Sequence, residues 1–86
     1  MYKVLLHRRA FKDYERQGAK TKARLDEAFG HLQEDPFRGT QIKRLSGEPS
    51  HLYRYRVGQL RILYEVHENQ KIVQVKAVAS RGDVYK

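Results

Sequence analysis

The spacing of apolar residues is strand-like at the start of the chain and helical immediately afterwards. β-forming side chains predict a short strand over Tyr2–His7. Apolar residues then recur at helical spacing up to Gly18, which predicts a first helix. A second apolar stripe predicts a helix over Thr21–Glu34, which ends before Pro36 because a residue preceding a proline disfavours the helical conformation. This stripe consists of Leu25, Ala28, Phe29 and Leu32.

From Ile42 onward the apolar spacing changes to a period of two, which is typical of strands. Leu45–Gly47 predicts a short strand or the end of one. Two longer alternating segments follow, joined by Gly58-Gln59, and glycine in the first central position favours a type II′ hairpin turn.

That turn fixes a register in which Arg56 lies opposite Arg61. The remaining predicted pairs are Val57 with Leu60, Tyr55 with Ile62, Arg54 with Leu63 and Tyr53 with Tyr64. The apolar residues of these pairs other than Leu63 then share one face, and the arginines share the other. A slip of one residue would mix the two faces, so the pattern supports this register.

A second hairpin is predicted to turn near Asn69-Gln70. Its last strand would place Val73, Val75, Ala77 and Ala79 on the inner, apolar face, and Lys76 and Val78 on the outer face. The expected fold class is α+β. A small, mainly antiparallel sheet of about four strands carries an N-terminal helical hairpin on one face, and residues 1–86 form a single domain.

Composition narrows the possible functions. The net charge is +8, and each half of the chain carries +4, so the positive charge belongs to the folded body and points to a polyanionic partner. There are no cysteines, which excludes a disulfide framework or a thiolate metal site. No apolar run approaches the roughly 18 residues of a membrane span, and no secretory signal is visible, so we expect a cytoplasmic protein without a membrane partner.

The outer face of the predicted hairpin collects positive charge. Like charges directly opposed across two strands are destabilising, so Arg56 facing Arg61 favours a bound anion at that place. Arg54 and Lys76 extend the cluster, and the guanidinium fork suits phosphate. The alternative, that these are ordinary solvated arginines, stays open at this point.

The end of the chain adds Arg81 at the rim of this face and Tyr85 four residues later. The tyrosine is a candidate for base stacking or proton transfer, although a terminal tyrosine is often only a surface residue. The four histidines are scattered without metal-ligand spacing, and no phosphate-binding glycine loop is present. We therefore expect no metal and no cofactor.

These residues resemble the RelE/ParE superfamily of small prokaryotic toxins, and its RelE branch in particular. The resemblance rests on the segment Leu45-Ser-Gly, on the alternating run from Leu52 to Val66, and on the ending Ser80-Arg-Gly-Asp-Val-Tyr85. The order of strand, helical hairpin and four further strands covers essentially the whole chain.

The resemblance implies a ribonuclease that enters the ribosomal A site and cuts mRNA without a metal, by attack of the 2′-hydroxyl on the adjacent phosphate. It places basic residues at the positions of Arg54, Arg56, Arg61 and Arg81 and a tyrosine at that of Tyr85. We expect the catalytic residues to be Arg61, Arg81, Tyr85 and Arg56, and the RNA-binding residues to be Arg54, Lys76, Lys43 and Arg44. Arg61 and Arg81 would stabilise the phosphorane. Tyr85 would stack on a base or transfer a proton.

The resemblance also implies partners: the ribosome with its mRNA, a cognate acidic RelB-like antitoxin, and operator DNA reached through that antitoxin. Two alternatives stay open. ParE-like relatives bind and inhibit DNA gyrase without cutting RNA, and an inactive toxin could act with its antitoxin as a transcriptional repressor.

Overall fold

The computed structural model describes residues 1–45 and 52–80, which form two helices and five strands. In chain order these are β1 (Lys3–Leu6), α1 (Arg8–Glu15), α2 (Ala19–Glu34), β2 (Ile42–Arg44), β3 (Leu52–Val57), β4 (Leu60–His67) and β5 (Ile72–Ser80). The predicted α+β class is confirmed. Neither helix is long and apolar enough to cross a membrane.

The five strands form one sheet in the order β1-β5-β4-β3-β2. Strand β1 pairs in parallel with β5, and the other neighbours are antiparallel. The five strands are the predicted N-terminal strand and the four further strands that follow the helical hairpin, and the N-terminal strand joins the sheet at its edge.

Strand β2 lies three residues earlier than the Leu45–Gly47 strand predicted from sequence. Its last register pair is Arg44 with Tyr53, although the Leu45 amide still donates to the Leu52 carbonyl at 2.9 Å. Residues 46 and 47 lie outside the described part of the chain.

The first hairpin has the predicted register, pair by pair, from Tyr53 opposite Tyr64 to Val57 opposite Leu60. Gly58 adopts a φ of 57°, whereas Gln59 does not have a positive φ, since Lys71 is the only described residue other than glycine that does. A type I′ turn needs a positive φ at both central residues and a type II′ turn only at the first, so the turn is of type II′. The turn residue expected from sequence thus sets which side chains face each other across β3 and β4.

The second hairpin agrees with the prediction as far as Tyr64, and the prediction is wrong beyond that point. A bulge shifts the register between Leu63 and Tyr64, so Ala77 pairs with Leu63 and Val78 with Ile62. The extra residue in a bulge reverses which face the later side chains occupy. Val78 therefore joins the core at 3% exposure. Ala77 and Ala79 pair on the outer face instead, where Ala77 is still covered to 7% exposure.

Both helices pack on the inner face of the sheet. Ala10 of α1 and the predicted stripe of α2 meet the inner residues of the sheet, and the stripe's Leu25 and Leu32 are fully buried. The inner residues of the sheet that they meet include Ile62, Tyr64, Val73, Val75 and Val78. The helical hairpin on one face is confirmed, and it leaves the opposite face of the sheet uncovered by either helix.

Polar groups buried on the inner side find partners. The Tyr64 hydroxyl donates to the Pro36 carbonyl at 2.7 Å. The pairing of β1 with β5 ends at Val75, and the Val78 amide farther along β5 donates to Asp13 Oδ2 of α1 at 3.1 Å. Since an unpaired buried amide is costly, Asp13 stabilises the bulged end of β5 and ties α1 to it.

Candidate nucleic-acid interface

Alternate residues of β2, β3 and β4 place four cations on the outer face of the sheet. They are Lys43, Arg54, Arg56 and Arg61, and we call them the basic outer face. The register opposes Arg56 to Arg61, as the sequence predicts, and also opposes Lys43 to Arg54, which the sequence reasoning did not foresee. Two directly opposed like-charge pairs side by side disfavour the folded state.

Three of these cations have no protein partner within the described residues. The side chains of Lys43, Arg54 and Arg56 form no ion pair or hydrogen bond there, and Arg54 Nε is buried without a hydrogen-bond partner. A buried donor without an acceptor carries a desolvation cost of about 1–3 kcal/mol, more when it is charged. An external anion would relieve both this cost and the like-charge repulsion.

The sheet surface between these cations, which we call the apolar floor, is formed by Leu63, Ala77 and Ala79. Arg54 pairs with Leu63, which pairs with Ala77, and Arg61 pairs with Ala79. Because the bulge turns two alanines outward, the β5 residues opposite Leu63 and Arg61 have small side chains. A nucleotide can approach such a surface with its sugar or base on the apolar floor and its phosphates at the rim.

A concavity of about 230 Å³ lies at the tip of the β3–β4 hairpin and is lined by Arg56, Gly58, Gln59 and Arg61. It is smaller than the roughly 300–1,000 Å³ of a drug-sized ligand site. Two guanidinium groups at such a concavity can donate paired hydrogen bonds to phosphate oxygens. The arrangement suits one phosphate group and its immediate surroundings.

Within residues 1–45 and 52–80, the acidic residue on this face is Glu65, and it lies away from the tip. Glu65 pairs with Leu52 and Gln74, and its Oε1 is 3.5 Å from His67 Nε2. The outer face is therefore electrostatically divided, with the cations at the hairpin tip and the carboxylate toward the opposite end of β4.

The structure places the other sequence-predicted residues differently. Lys76 is the exposed extra residue of the bulge, beside Ala77. Arg44 pairs with Tyr53, so it lies on the helix-bearing face and is not brought together with Arg54. Arg81 and Tyr85 lie outside the described residues.

Sequence reasoning missed the position of Arg24. Its guanidinium lies against Gly58, with three of its atoms 3.1 to 3.4 Å from the place a Cβ would occupy. The helix segment Lys20–Arg24 is basic in the sequence, but a charged helix face is usually only solvated. The contact arises because α2 crosses the sheet beside the β3–β4 turn, and the sequence does not state that crossing.

The described tyrosines nearest the site are held protonated. Burial raises the pKa of Tyr55 and, more strongly, that of Tyr64. The Tyr55 hydroxyl donates to His31 Nδ1 at 3.2 Å, and His31 Nε2 donates to the Arg38 carbonyl at 2.8 Å. Both hydroxyls are thus engaged below the sheet and do not serve as bases at its outer face. Residues 1–45 and 52–80 contain no group of three or more histidine or acidic side chains that could hold a metal ion.

Known structures share this architecture closely. The chain is 28% identical to a chain of the toxin–antitoxin complex RelBE2 of Mycobacterium tuberculosis. The TM-score is 0.81, and the match covers 93% of this chain and 98% of that chain. It is 24% identical to the archaeal RelE–RelB complex of Pyrococcus horikoshii, with a TM-score of 0.82 and coverages of 96% and 98%. For a YoeB/ParE toxin from Agrobacterium tumefaciens the identity is 19%, the TM-score 0.81 and the coverages 92% and 98%.

Comparison with curated proteins gives no match to the sequence. A family model described as the ParE toxin of type II toxin–antitoxin systems, parDE, matches residues 4–85. That match spans nearly the whole chain, and the similar structures are RelE, YoeB and ParE toxins with the same arrangement of helices and strands. The chain belongs to the ParE toxin family of type II toxin–antitoxin systems, within the RelE/ParE superfamily.

Proposed function

We propose that this toxin is an endoribonuclease that cleaves mRNA in the ribosomal A site and so inhibits translation. The observation that carries the proposal is the pair of opposed like-charge couples on the basic outer face, beside an open concavity between Arg56 and Arg61. A protein gains nothing in stability from such an arrangement, whereas a phosphodiester gains both charge neutralisation and orientation from it.

The proposed reaction is an internal transesterification. The ribose 2′-oxygen bonds to the adjacent phosphorus, the bond from phosphorus to the 5′-oxygen breaks, and a 2′,3′-cyclic phosphate and a 5′-hydroxyl result. The proton of the 2′-hydroxyl leaves, and the 5′-oxygen receives a proton. The positive charge that the phosphorane needs comes from arginines, so the route uses no metal or cofactor.

Each cation has a role in this scheme. Arg61 and Arg56, at the tip concavity, hold the reacting phosphate and stabilise the added charge of the phosphorane. Arg54 and Lys43, two register pairs away from Arg56 on the same face, hold the RNA backbone. Arg81 would add to the phosphorane stabilisation, Tyr85 would stack on a base or transfer a proton, and Lys76 and Arg44 would contact RNA more distantly.

None of the arginines of the basic outer face is suited to act as a general base, because arginine keeps its proton at any ordinary pH. Orientation of the 2′-hydroxyl in line with the leaving oxygen must then supply a large part of the acceleration. Dependence on the ribosome follows, since the decoding site holds a short stretch of mRNA in a fixed conformation.

A cognate antitoxin is part of the proposal. The similar structures from M. tuberculosis and P. horikoshii are toxin–antitoxin complexes. A net charge of +8 and three cations without described protein partners favour an acidic, RelB-like segment laid on this toxin. Operator DNA would be reached indirectly, through that antitoxin.

The test is primer extension on a message translated by purified ribosomes, with and without the purified toxin. We expect cuts phased with the codon in the A site, and none on the same message without ribosomes. An intact message on translating ribosomes would contradict the proposal.

A second function has one observation in its favour, which is that the matching family model is that of ParE toxins. In that case the outer face would dock on DNA gyrase. A supercoiling assay with the same toxin preparation separates the two functions. Inhibited gyrase with an intact message supports this second function, whereas cut message with active gyrase supports the first.

A further inference from the structure

A second pocket lies around the β3–β4 turn from the tip concavity, on the side facing α2. Its volume is about 280 Å³, and it is formed by α2, by the residues preceding β2 and by the end of β3. Four polar side chains line it: those of Arg24, Glu27, Gln41 and Arg56. Ala28 and Val57 contribute apolar surface.

The polar side chains of this pocket are not used by the fold. Those of Arg24, Glu27, Gln41 and Arg56 form no ion pair or hydrogen bond with another described residue. Arg24 and Glu27 lie one helical turn apart and still make no ion pair. Donors and an acceptor that converge on a concavity without bonding to one another are available to a ligand.

The walls of the pocket are nevertheless held in place. The Arg56 amide donates to the Gln41 carbonyl at 3.0 Å, which fixes these two residues side by side. Tyr55, at 6% exposure, forms a buried wall whose hydroxyl is tied to His31. Burial and the nearby charge of Glu27 both raise the pKa of Tyr55, so this wall stays neutral.

Gly58 permits the approach of Arg24. With a φ of 57° and no side chain, it lets the guanidinium lie on the turn, where a Cβ would meet Arg24 nitrogen atoms at 3.1 and 3.2 Å. Arg24 therefore extends the row of cations past the turn.

The two pockets are adjacent, because Arg56 and Gly58 line both of them. An RNA strand with its reacting phosphate at the tip concavity would have its neighbouring nucleotide beside the second pocket. A guanidinium binds phosphate, while a carboxylate accepts hydrogen bonds from the amino groups on base edges. Unpaired bases present those edges to side chains.

We propose that this second pocket binds the nucleotide adjacent to the cleaved phosphodiester and selects its base, which rests on the proposed ribonuclease function. Arg24 holds the phosphate of that nucleotide. Glu27 accepts a hydrogen bond from an exocyclic amino group of the base, with Gln41 beside it. Uracil has no exocyclic amino group to donate this hydrogen bond to Glu27, so the pocket favours cytosine over uracil.

The experiment compares messages that differ only by cytosine or uracil at one position of the A-site codon or beside it. Cleavage rates on programmed ribosomes are measured for each message with the wild-type toxin and with the variants Arg24→Ala, Glu27→Gln and Lys20→Ala. Lys20→Ala is the matched control, because it removes one charge from an exposed position of the same helix. Thermal unfolding of each variant checks that it is folded.

At one of the tested positions we expect the wild type to cleave the cytosine message about tenfold faster than the uracil message. This ratio corresponds to the loss of one hydrogen bond to a charged group. Glu27→Gln should bring that ratio close to one. Arg24→Ala should slow both messages about tenfold for the same reason, and Lys20→Ala should change neither value.

Two results would overturn the inference, and they differ from a failure of the underlying function. If the wild type cleaves but Arg24→Ala behaves as Lys20→Ala does, or Glu27→Gln keeps the wild-type base preference, the pocket does not bind the nucleotide. If the wild type cleaves no message at all, the ribonuclease proposal itself fails, and this inference falls with it.

Discussion

The two faces of the sheet at strands β2, β3 and β4 are made of alternate residues of the same strands, yet they differ in whether their polar groups have partners. On the inner face the hydroxyls of Tyr55 and Tyr64 have hydrogen-bond partners, and the side chains around them are buried. On the outer face Lys43, Arg54 and Arg56 have none within the described residues, and like charges oppose each other.

The difference separates stability from function. Inner residues lower the free energy of the folded state, because their apolar area is buried and their polar groups are hydrogen-bonded. The basic outer face raises it through repulsion and an unsatisfied buried donor. Perturbing one face should therefore affect unfolding, and perturbing the other should affect binding and cleavage.

The largest effect on stability is expected on the inner face, from Tyr64→Ala. This fully buried side chain fills the centre of the core, and truncating a large aromatic residue there costs about 3–5 kcal/mol of unfolding free energy. Urea unfolding measures it. The control is Phe11→Ala on α1, which removes an aromatic ring that is 52% exposed. Equal losses for the two variants would contradict the described core.

A smaller effect is expected at alkaline pH. The folded-state pKa of Tyr64 lies above the ordinary 10.0, so the stability tied to its neutral form is complete below pH 10 and is lost as the pH rises further. The expected loss from this group is about 1.4 kcal/mol per pH unit. Unfolding curves from pH 9 to 11 should fall less steeply for Tyr64→Phe than for the wild type. If the unfolding free energies of Tyr64→Phe and the wild type fell equally with pH, Tyr64 would not have a raised pKa in the folded state.

The smallest effect has the opposite sign and lies on the outer face. Arg56→Thr removes one member of an opposed like-charge pair and should raise the unfolding free energy by a few tenths of a kcal/mol while lowering cleavage. The control is Lys3→Thr, a strand cation opposite the neutral Ile72, which relieves no such pair. The gain should shrink in high salt, where charges are screened. A loss of stability in Arg56→Thr would mean that the arginine supports the fold.

The hairpin was predictable because its local signals agree. A glycine turn of known type and strict alternation of arginine with apolar residues leave one register. Strand β5 offers no such contrast, since Ala77, Val78 and Ala79 are all apolar, and the sequence cannot show which of them faces the helices. The bulge beside Lys76 is decided by tertiary packing, including the bond from Val78 to Asp13.

The candidate site was predictable to the same extent. Arg54, Arg56 and Arg61 follow from the hairpin register, so the sequence brings them together correctly. The opposition of Lys43 to Arg54 depends on how the short strand β2 pairs, and the contact of Arg24 with Gly58 depends on how α2 crosses the sheet. Neither is encoded in a local pattern. The same pairing puts Arg44 on the face opposite Arg54.

The central claim is that the cations at the hairpin tip act in RNA cleavage and not in folding. Its most direct test is the single-turnover cleavage rate on programmed ribosomes for the double variant Arg56→Ala/Arg61→Ala. The charge-matched control is Arg8→Ala/Lys12→Ala on the exposed surface of α1. We predict that the first variant remains folded and loses a factor of about 100 or more in rate, while the control retains nearly the wild-type rate. Equal rates for the two variants would contradict the claim.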